Sequence, residues 1–184
     1  MPDLRGLTEF LKDTFVYIII FAVIVFVFMF IIAVVPIAGN SMNSTLSDGD
    51  FAISVRFVYL ISSPKRNDIV TFKDSNKKRF VKRVIGLPGE SIDYLNGYLY
   101  INGESYTETF LDGTKTSNFM FSDICNKKDC PDGKIPEDYY LVLGDNRPES
   151  QDSRDPSIGL VSKKQIDGKI LFRVWPIKNF GKIK

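Results

Sequence analysis

The most regular pattern in the chain is one long apolar run near its N-terminus. No charged residue lies between Thr14 and Ser47, and residues 15–38 are nearly all Ile, Val, Phe and Ala. A helix that spans a membrane needs about 20 such residues. Because the chain has no second apolar segment of this length to bury the run, we predict a membrane-spanning helix over residues 15–38. Residues 1–14 would then form a cytoplasmic segment.

A secretory signal peptide that is later removed is the alternative for this run. The apolar part of such a peptide has about 7–15 residues, and cleavage after Ala38 would place Pro36 where a small residue is expected. The length of the run therefore favours an uncleaved anchor. Arg5 and Lys12 precede it, whereas only Arg56 lies close behind it. This charge difference predicts a cytoplasmic N-terminus, with the remaining chain outside the cytoplasm.

After the anchor, residues 39–184 show the short apolar stretches that are typical of β-strands. These stretches cover residues 51–60, 68–72, 80–85, 98–101, 139–143 and 170–175. Asn96-Gly97 and Asn102-Gly103 flank one of them and indicate tight hairpin turns. Many short strands with few helix signals predict a mostly β, antiparallel domain. Residues 105–137 are polar and irregular, and we expect them to form an inserted excursion from the sheet.

Composition excludes several classes of function. The chain contains no histidine, so it cannot build a serine–histidine–aspartate triad or a histidine-ligated metal site. A general base must be a carboxylate, a lysine, a tyrosine or a thiolate. The net charge of +2 is too small to indicate a nucleic-acid partner, and the basic cluster Lys77–Arg83 is short. We expect no metal, no cofactor and no nucleic acid.

Two cysteines, Cys125 and Cys130, lie in the irregular excursion with a short polar segment between them. In an oxidising compartment this spacing is typical of a small loop closed by a disulfide. Half of a zinc site is an alternative, although the chain lacks two further soft ligands. A pair of free thiols is the other alternative that the sequence leaves open.

Two stretches carry residue types that suit peptide-bond chemistry. Gly39-Asn40-Ser41-Met42 follows the apolar run directly, and glycine lets the backbone adopt unusual conformations near a reacting atom. Lys82 shares its face of a predicted strand with Phe80 and Val84. Burial between such neighbours can lower the pKa of a lysine by up to ~3–5 units, toward the range of a useful base. A lysine that snorkels at the edge of a strand is the alternative.

A third candidate stretch is the polar segment Gly144–Arg154. Charges of both signs alternate there with small hydroxyl side chains. Such a segment suits a hydrogen-bonded platform that holds a neutral amine in place. Ser150 or Ser153 would contact the lysine amine, and Asp152 would form an ion pair with Arg154.

Linked motifs extend from the anchor nearly to the C-terminus. They are Ser41–Leu46, Asp48–Phe51, Arg66–Phe72, Lys82–Glu90, Gly144–Arg154, Gly159–Val161 and Trp175-Pro176. Together they resemble the bacterial type I signal peptidases, the membrane-bound serine proteases that remove signal peptides from exported proteins. The first motif resembles the nucleophile box of that family, and Lys82–Glu90 resembles its base box.

The resemblance implies a role for each matching residue. Ser41 would be the nucleophile and Lys82 its general base. Ser150 would orient the lysine, and Asp152 with Arg154 would brace the site. The family also implies a coiled antiparallel β-sheet protease domain with a small inserted second domain.

The resemblance further implies the substrate and its binding mode. Preprotein signal peptides with small residues at the cleavage end would lie as an extra strand between the stretch before Ser41 and the strand that leads to Lys82. The lipid bilayer would hold enzyme and substrate together, at the cytoplasmic membrane of a bacterium. The expected lining of the shallow substrate pockets is Ile37, Met42, Leu46, Phe80 and Val81.

The chain departs from the family pattern at three named positions. Gly39 lies where some members have a serine that contributes to the oxyanion hole, so the backbone N–H of Ser41 would stabilise the oxyanion. Ser44 replaces a proline, which should loosen the loop after Ser41. Asn67 replaces a common glycine. The chain is also shorter than many members.

Three other functions remain open at this point. A specialised relative would process one pilin-like or conjugation-linked substrate. A LexA-like self-cleaving switch shares the serine–lysine chemistry, but it carries a DNA-binding domain where this chain has an apolar run. The third is a non-enzymatic, membrane-anchored β-rich binding module, in which Lys82 would be dispensable.

Overall fold

The N-terminal apolar run divides into a helix and a strand. In the computed structural model, which describes residues 4–111 and 113–183, helix α1 spans Leu4–Phe26 and a π-helical turn spans Val27–Ile31. Strand β1 then spans Ile32–Pro36. The predicted membrane segment 15–38 is therefore wrong at its C-terminal end. The β-branched residues at this end suit a strand, and pairing with a neighbouring strand satisfies their backbone groups.

Among the described residues, one helix is long and apolar enough to cross a membrane. It covers Thr8–Ile31, or 24 residues, and none of its most apolar window is buried against the rest of the chain. At 1.5 Å per residue this length exceeds the roughly 30 Å of a bilayer's hydrocarbon core.

The remaining chain is built from antiparallel strands. They are β2 (Phe51–Val55), β3 (Ile69–Lys73), β4 (Arg79–Gly86), β5 (Ile92–Leu95), β6 (Tyr98–Ile101), β7 (Glu104–Tyr106), β8 (Tyr139–Leu143), β9 (Val161–Ser162), β10 (Ile166–Trp175) and β11 (Gly181–Lys182). The main sheet has the order β1-β2-β10-β3-β4-β8-β9, with β11 on β10. A second sheet has the order β5-β6-β7. The mostly β, antiparallel fold is thus confirmed.

Short helices complete the described structure. Helix α2 is the single turn Val58–Ile61, and α3 is the single turn Phe121–Ile124. The 3-10 turns cover Arg147–Glu149, Lys163–Gln165 and Ile177–Asn179. The predicted strand 51–60 therefore ends at Val55, and its last part forms α2 instead.

Strand β10 gives the main sheet its curvature. Its first residues pair with β3, and its remainder pairs with β2, with shifts of register along its length. One shift lies beside Gly168, where a Cβ atom would come 2.6 Å from Ser54 Oγ and 2.9 Å from the carbonyl oxygen of Val55. Such bulges bend a sheet, and here the bend matches the coiled sheet that the family resemblance implies.

Strand β4 is paired on both sides over only part of its length. It pairs with β3 from Arg79 to Arg83, but with β8 only from Arg83 onward. The first half of β4 therefore has one free edge. Strand β1 also has a free edge, because it ends the main sheet.

The second sheet and the excursion share an apolar core with β4 and β8 of the main sheet. Both Asn-Gly turns are present, with positive φ at Asn96, Gly97, Asn102 and Gly103, as tight hairpins require. Buried residues of this core include Tyr94, Leu99, Phe121 and Cys130. Cys125 and Cys130 form a disulfide. The inserted unit begins earlier than residue 105, because β5 and β6 belong to it.

Candidate active site

Ser41 lies in a tight loop that connects β1 to β2. The amide of Ile37 donates to the Asp50 carbonyl oxygen at 2.8 Å, and the amide of Gly39 donates to Asp48 Oδ1 at 2.7 Å. Gly39 adopts φ +82°, a conformation that favours glycine. A helical turn begins just after Ser41, since the amide of Leu46 donates to the Met42 carbonyl oxygen at 2.8 Å.

Lys82 projects from β4 toward this loop. Its Nζ atom lies 2.6 Å from Ser41 Oγ, although only 2% of the residue is exposed. The amine also lies 5.7 Å from the centre of the Phe80 ring on the same strand face. A charged amine donates to the serine oxygen at this distance, whereas a neutral amine can accept the serine proton.

Burial lowers the pKa of Lys82 to about 8, because the ammonium loses its solvation. The nearby carboxylates of Asp152 and Asp145 oppose this effect, while the positive charges of Lys78 and Arg154 add to it. A useful fraction of the amine is therefore neutral near physiological pH. This is the state that a general base requires.

Gly144 packs against both serines of the site. A Cβ atom at this position would come 2.1 Å from Ser150 Oγ and 2.4 Å from the carbonyl oxygen of Ser41. Ser150 Oγ is buried and has no hydrogen-bond partner within the described part of the chain. The structure thus brings Ser150 to the site without a hydrogen bond to Lys82, and its orienting role stays a prediction.

Asp152 and Arg154 fix the conformation of the loop that carries Ser150. Asp152 is fully buried and accepts from the amide of Gly144 at 3.0 Å. The guanidinium of Arg154 donates to it at 2.8 Å from both Nε and Nη2, which forms the expected ion pair. Arg154 also donates to the carbonyl oxygen of Arg147 at 2.7 Å.

Asn146 holds the nucleophile loop from the opposite side, a role that the sequence did not suggest. Its amide donates to the Ser41 carbonyl oxygen at 3.1 Å, and its Nδ2 donates to the Asn40 carbonyl oxygen at 3.0 Å. Both contacts fix the backbone around Ser41. Only its place within the segment Gly144–Arg154 could have drawn attention to it.

Two buried ion pairs surround the site. Arg83, which points away from Lys82 on β4, donates to Asp145 from Nε at 2.9 Å and from Nη2 at 2.7 Å. Arg147 donates to the Gly144 carbonyl oxygen at 3.0 Å and pairs with Glu108 at 2.5 Å. Both arginines are at most 2% exposed. Neither pair could be predicted from sequence, because each joins residues far apart in the chain.

A groove of about 440 Å³ runs past the Ser41–Lys82 contact, between the end of β1 and the first half of β4. Four of the five predicted substrate-contacting residues line it, namely Ile37, Met42, Phe80 and Val81. The prediction for Leu46 is wrong: this residue is 0% exposed and packs in the core below the loop, because the turn after Ser41 directs it inward. Further lining residues are Lys78, Arg79, Glu149 and Gln151.

The backbone beside Ser41 can receive negative charge. Within the described residues, the amide N–H of Ser41 has no hydrogen-bond acceptor. It is therefore available to an oxyanion that forms next to Ser41 Oγ. Around Gly39, no atom lies within 4 Å of the position that a Cβ would occupy.

A serine hydroxyl contacts a buried lysine amine at the floor of a groove between two free strand edges, an arrangement that suits hydrolysis of a peptide bond. Comparison with known proteins identifies the family. The model of "Signal peptidase, peptidase S26" matches residues 7–175. The chain therefore belongs to the signal peptidase family, peptidase S26, and is a serine peptidase.

Individual relatives agree with this assignment. The chain is 39% identical to signal peptidase I of Bacillus caldolyticus over 161 residues, which cover 83% of this chain and 85% of the relative. It is 37% identical to signal peptidase IB of Staphylococcus aureus (strain COL) over 169 residues, covering 87% and 86%. The crystal structure of a signal peptidase I from Enterococcus faecalis V583 matches with a TM-score of 0.51 and 36% identity, covering 59% of this chain and 97% of that structure.

Proposed function

We propose that this chain is a membrane-anchored endopeptidase that removes N-terminal signal peptides from exported preproteins, with Ser41 and Lys82 as a catalytic dyad. The observation that carries the proposal is the 2.6 Å contact between Lys82 Nζ and Ser41 Oγ at the groove. The low pKa of about 8 for Lys82 supports its role as the base. Since the chain has no histidine, this lysine takes the part that imidazole has in other serine proteases.

The reaction follows from these positions. Neutral Lys82 accepts the Ser41 hydroxyl proton while Oγ attacks the scissile carbonyl carbon, and the amide N–H of Ser41 stabilises the resulting oxyanion. The lysine ammonium then gives its proton to the leaving amine as the peptide bond breaks. A water molecule, deprotonated by the same lysine, hydrolyses the acyl-enzyme and regenerates both residues.

The two free strand edges support an extended substrate. Strand β1 lacks a partner on one side, and β4 lacks one before Arg83. A substrate strand between them would satisfy both edges and bring its scissile bond to Ser41. The apolar lining by Ile37, Met42, Phe80 and Val81 favours small apolar side chains near this bond.

The apolar helix supports a position of the site at a membrane. Residues 8–31 would span the bacterial cytoplasmic membrane once, with the N-terminus in the cytoplasm and the catalytic domain outside. The disulfide between Cys125 and Cys130 agrees with an oxidising compartment. A shared bilayer raises the effective concentration of the signal peptide at the groove.

Two substitutions test the dyad directly. Ser41→Ala and Lys82→Ala should each abolish cleavage of a purified preprotein while the protein keeps its near-UV circular dichroism spectrum. Lys65→Ala, which changes an exposed lysine outside the groove, should cleave like the unaltered enzyme. Normal turnover by either dyad variant would contradict the mechanism. The same assay on several unrelated preproteins separates a general enzyme from a single-substrate one.

A further inference from the structure

The groove carries charges of opposite sign at different points along its length. Among the described residues that line it, the charged ones are Lys78, Arg79, Lys82 and Glu149. Lys78 and Arg79 come shortly before Lys82 in sequence, so their Cα atoms lie roughly 10–13 Å from that of Lys82 at about 3.3 Å per residue of extended strand. Glu149 belongs to the loop after β8 and is the acidic member of this set.

Two hydrogen bonds place the carboxylate of Glu149 beside the nucleophile. Asn146 Nδ2 donates to Glu149 Oε2 at 3.2 Å and to the Asn40 carbonyl oxygen at 3.0 Å. One nitrogen therefore holds the carboxylate next to the peptide group that joins Asn40 to Ser41. The 3-10 turn that ends at Glu149 begins at Arg147, which is buried, so the backbone of the turn is also fixed.

The carboxylate of Glu149 is available to a substrate. The residue is exposed, and within the described part of the chain no lysine or arginine forms an ion pair with it. Its hydrogen bond from Asn146 goes to Oε2 and leaves Oε1 open to a further donor. A carboxylate without a counter-charge at the wall of a groove attracts cationic groups and repels anionic ones.

Ser41 divides the groove into two parts that would hold different parts of a preprotein. Strand β1 follows the candidate membrane helix and leads toward Ser41, so a signal peptide that emerges from the same bilayer would run along β1 in this direction. Its last residues would lie against Ile37 and Phe80, before the scissile bond. The first residues of the mature protein would then leave the groove past Asn40, where Glu149 lies.

We propose that Glu149 determines specificity for the mature side of the substrate. It favours lysine or arginine in the first two positions after the scissile bond and disfavours aspartate or glutamate there; this rests on the proposed function. Lys82 does not cancel the preference, because its amine is neutral in the state that reacts. Lys78 and Arg79 do not cancel it either, because they lie beside the signal-peptide side of the groove.

Peptide substrates that differ in one charge test the preference. They share one signal-peptide end and carry either lysine or glutamate at the first or the second position after the scissile bond. The full-length protein in detergent at low ionic strength should cleave the lysine peptides with a kcat/KM about 5–10-fold higher, since attraction and repulsion by an exposed charge each contribute up to about fivefold. Glu149→Gln should bring this ratio close to one, and Glu149→Lys should invert it.

A matched variant and added salt provide the controls. Glu104→Gln removes an exposed glutamate on β7, outside the groove, and should keep the ratio of the parent protein. At about 1 M NaCl, where the Debye length is about 3 Å, the ratio of the parent should approach one while that of Glu149→Gln stays the same. A merely structural role of Glu149 would not produce this dependence on salt and on substrate charge.

Two kinetic outcomes would overturn the proposal. One is an equal ratio for the parent and Glu149→Gln. The other is a ratio that responds to Glu149→Gln only in peptides whose lysine or glutamate precedes the scissile bond, because this would place the carboxylate on the signal-peptide side.

A binding measurement separates this proposal from the proposed function. If the parent cleaves none of the peptides, the proposed function is refuted, and the Kd values of the labelled peptides, measured by fluorescence anisotropy with Ser41→Ala, decide the role of Glu149. Several-fold tighter binding of the lysine peptides, lost in Ser41→Ala/Glu149→Gln, would support the role of Glu149. Equal Kd values for the lysine and glutamate peptides would overturn it.

Discussion

Lys82 occupies a position in β4 where the sheet gives an ammonium group little solvation. The residue is 2% exposed, and its amine contacts Ser41 and approaches the ring of Phe80. A buried amine is costly to the folded state when it is charged. Burial of this amine therefore costs stability, and it provides the base that the proposed mechanism needs near neutral pH.

The pH dependence of cleavage should follow the neutral fraction of Lys82. Since its pKa is lowered to about 8, the rate should rise from pH 6 and level off above about pH 8. Single-turnover cleavage of a peptide substrate across this range measures it. A flat profile between about pH 6 and 9 would contradict a lysine base.

Removing the amine should stabilise the protein. Burial lowers the pKa of Lys82 from 10.5 to about 8, and each pKa unit is worth 1.36 kcal/mol. Below pH 8 the folded state thus carries a penalty of about 3 kcal/mol, which disappears as pH rises toward 10.5, where the unfolded chain also loses its proton.

Lys82→Met should therefore be inactive but raise the free energy of unfolding at pH 7 by up to about 3 kcal/mol. The contact with Ser41 that it loses reduces this gain. Urea unfolding in detergent at pH 7 and at pH 10 measures the effect, and the advantage of the variant should shrink at the higher pH. A variant that is less stable than the parent at pH 7 would refute the proposed cost of burial.

Backbone conformation explains two of the departures from the family pattern. Ser44 adopts φ +96°, which proline cannot adopt because its ring fixes φ near −65°. Asn67 adopts φ +68°, a left-handed conformation that asparagine tolerates better than most residues with a side chain. The loop after Ser41 therefore has a conformation that excludes proline at this position, and a looser loop stays a prediction.

At the scale of elements, the loop after β8 and the loop after β1 meet at Gly144. A side chain there would overlap Ser150 and the backbone of Ser41. The loop after β1 carries Ser41, and the loop after β8 carries Ser150. Their separation is therefore set by the absence of one Cβ atom.

Gly144→Ala should reduce kcat by about 100-fold, because displacement of a catalytic group by about 1 Å has effects of this size. Its matched control is Gly159→Ala. That glycine adopts φ +59° but has no atom within 4 Å of the Cβ position, so alanine there should cost stability with little change in kcat. Steady-state cleavage and thermal unfolding of both variants provide the measurement. Equal kcat values for Gly144→Ala and the parent would refute tight packing at this point.

The sequence predicted those elements whose signals are local. The hairpin turns at Asn96 and Asn102 and the face of Lys82 follow from residue type and strand alternation alone. Strand β1 was not predicted, because its apolar residues directly follow those of the helix. Only its pairing with β2 distinguishes the strand from the helix. The burial of Leu46 was not predicted, because the turn after Ser41 decides the direction of its side chain and the composition does not indicate that turn.

At the scale of the whole molecule, one buried ion pair joins the two sheets. Arg147 belongs to the loop after β8, whereas Glu108 follows β7 of the second sheet. The same guanidinium donates to the hydroxyls of Tyr94 and Thr116, each at 2.6 Å. Since Arg147 also holds the carbonyl oxygen of Gly144, the inserted unit supports the site from behind.

Glu108→Gln should destabilise the protein by about 3–5 kcal/mol, because it leaves the guanidinium of Arg147 buried without its counter-charge. The double variant Arg147→Met/Glu108→Met should recover much of this loss, since apolar side chains need no counter-charge. Unfolding of the parent, Glu108→Met, Arg147→Met and the double variant forms a cycle that measures the coupling. Additive losses would show that the two side chains do not interact.

The buried amine of Lys82 also has a consequence for inhibitor chemistry. An exposed lysine, with a pKa near 10.4, is almost entirely protonated at neutral pH and reacts slowly with electrophiles. The pKa of Lys82 is lowered to about 8, so a larger fraction of its amine is neutral at that pH, and the amine lies in a groove. A peptidomimetic with an aldehyde or a sulfonyl fluoride at its end could therefore modify the amine instead of the hydroxyl. Such a compound would discriminate this enzyme from serine proteases whose catalytic base is an imidazole.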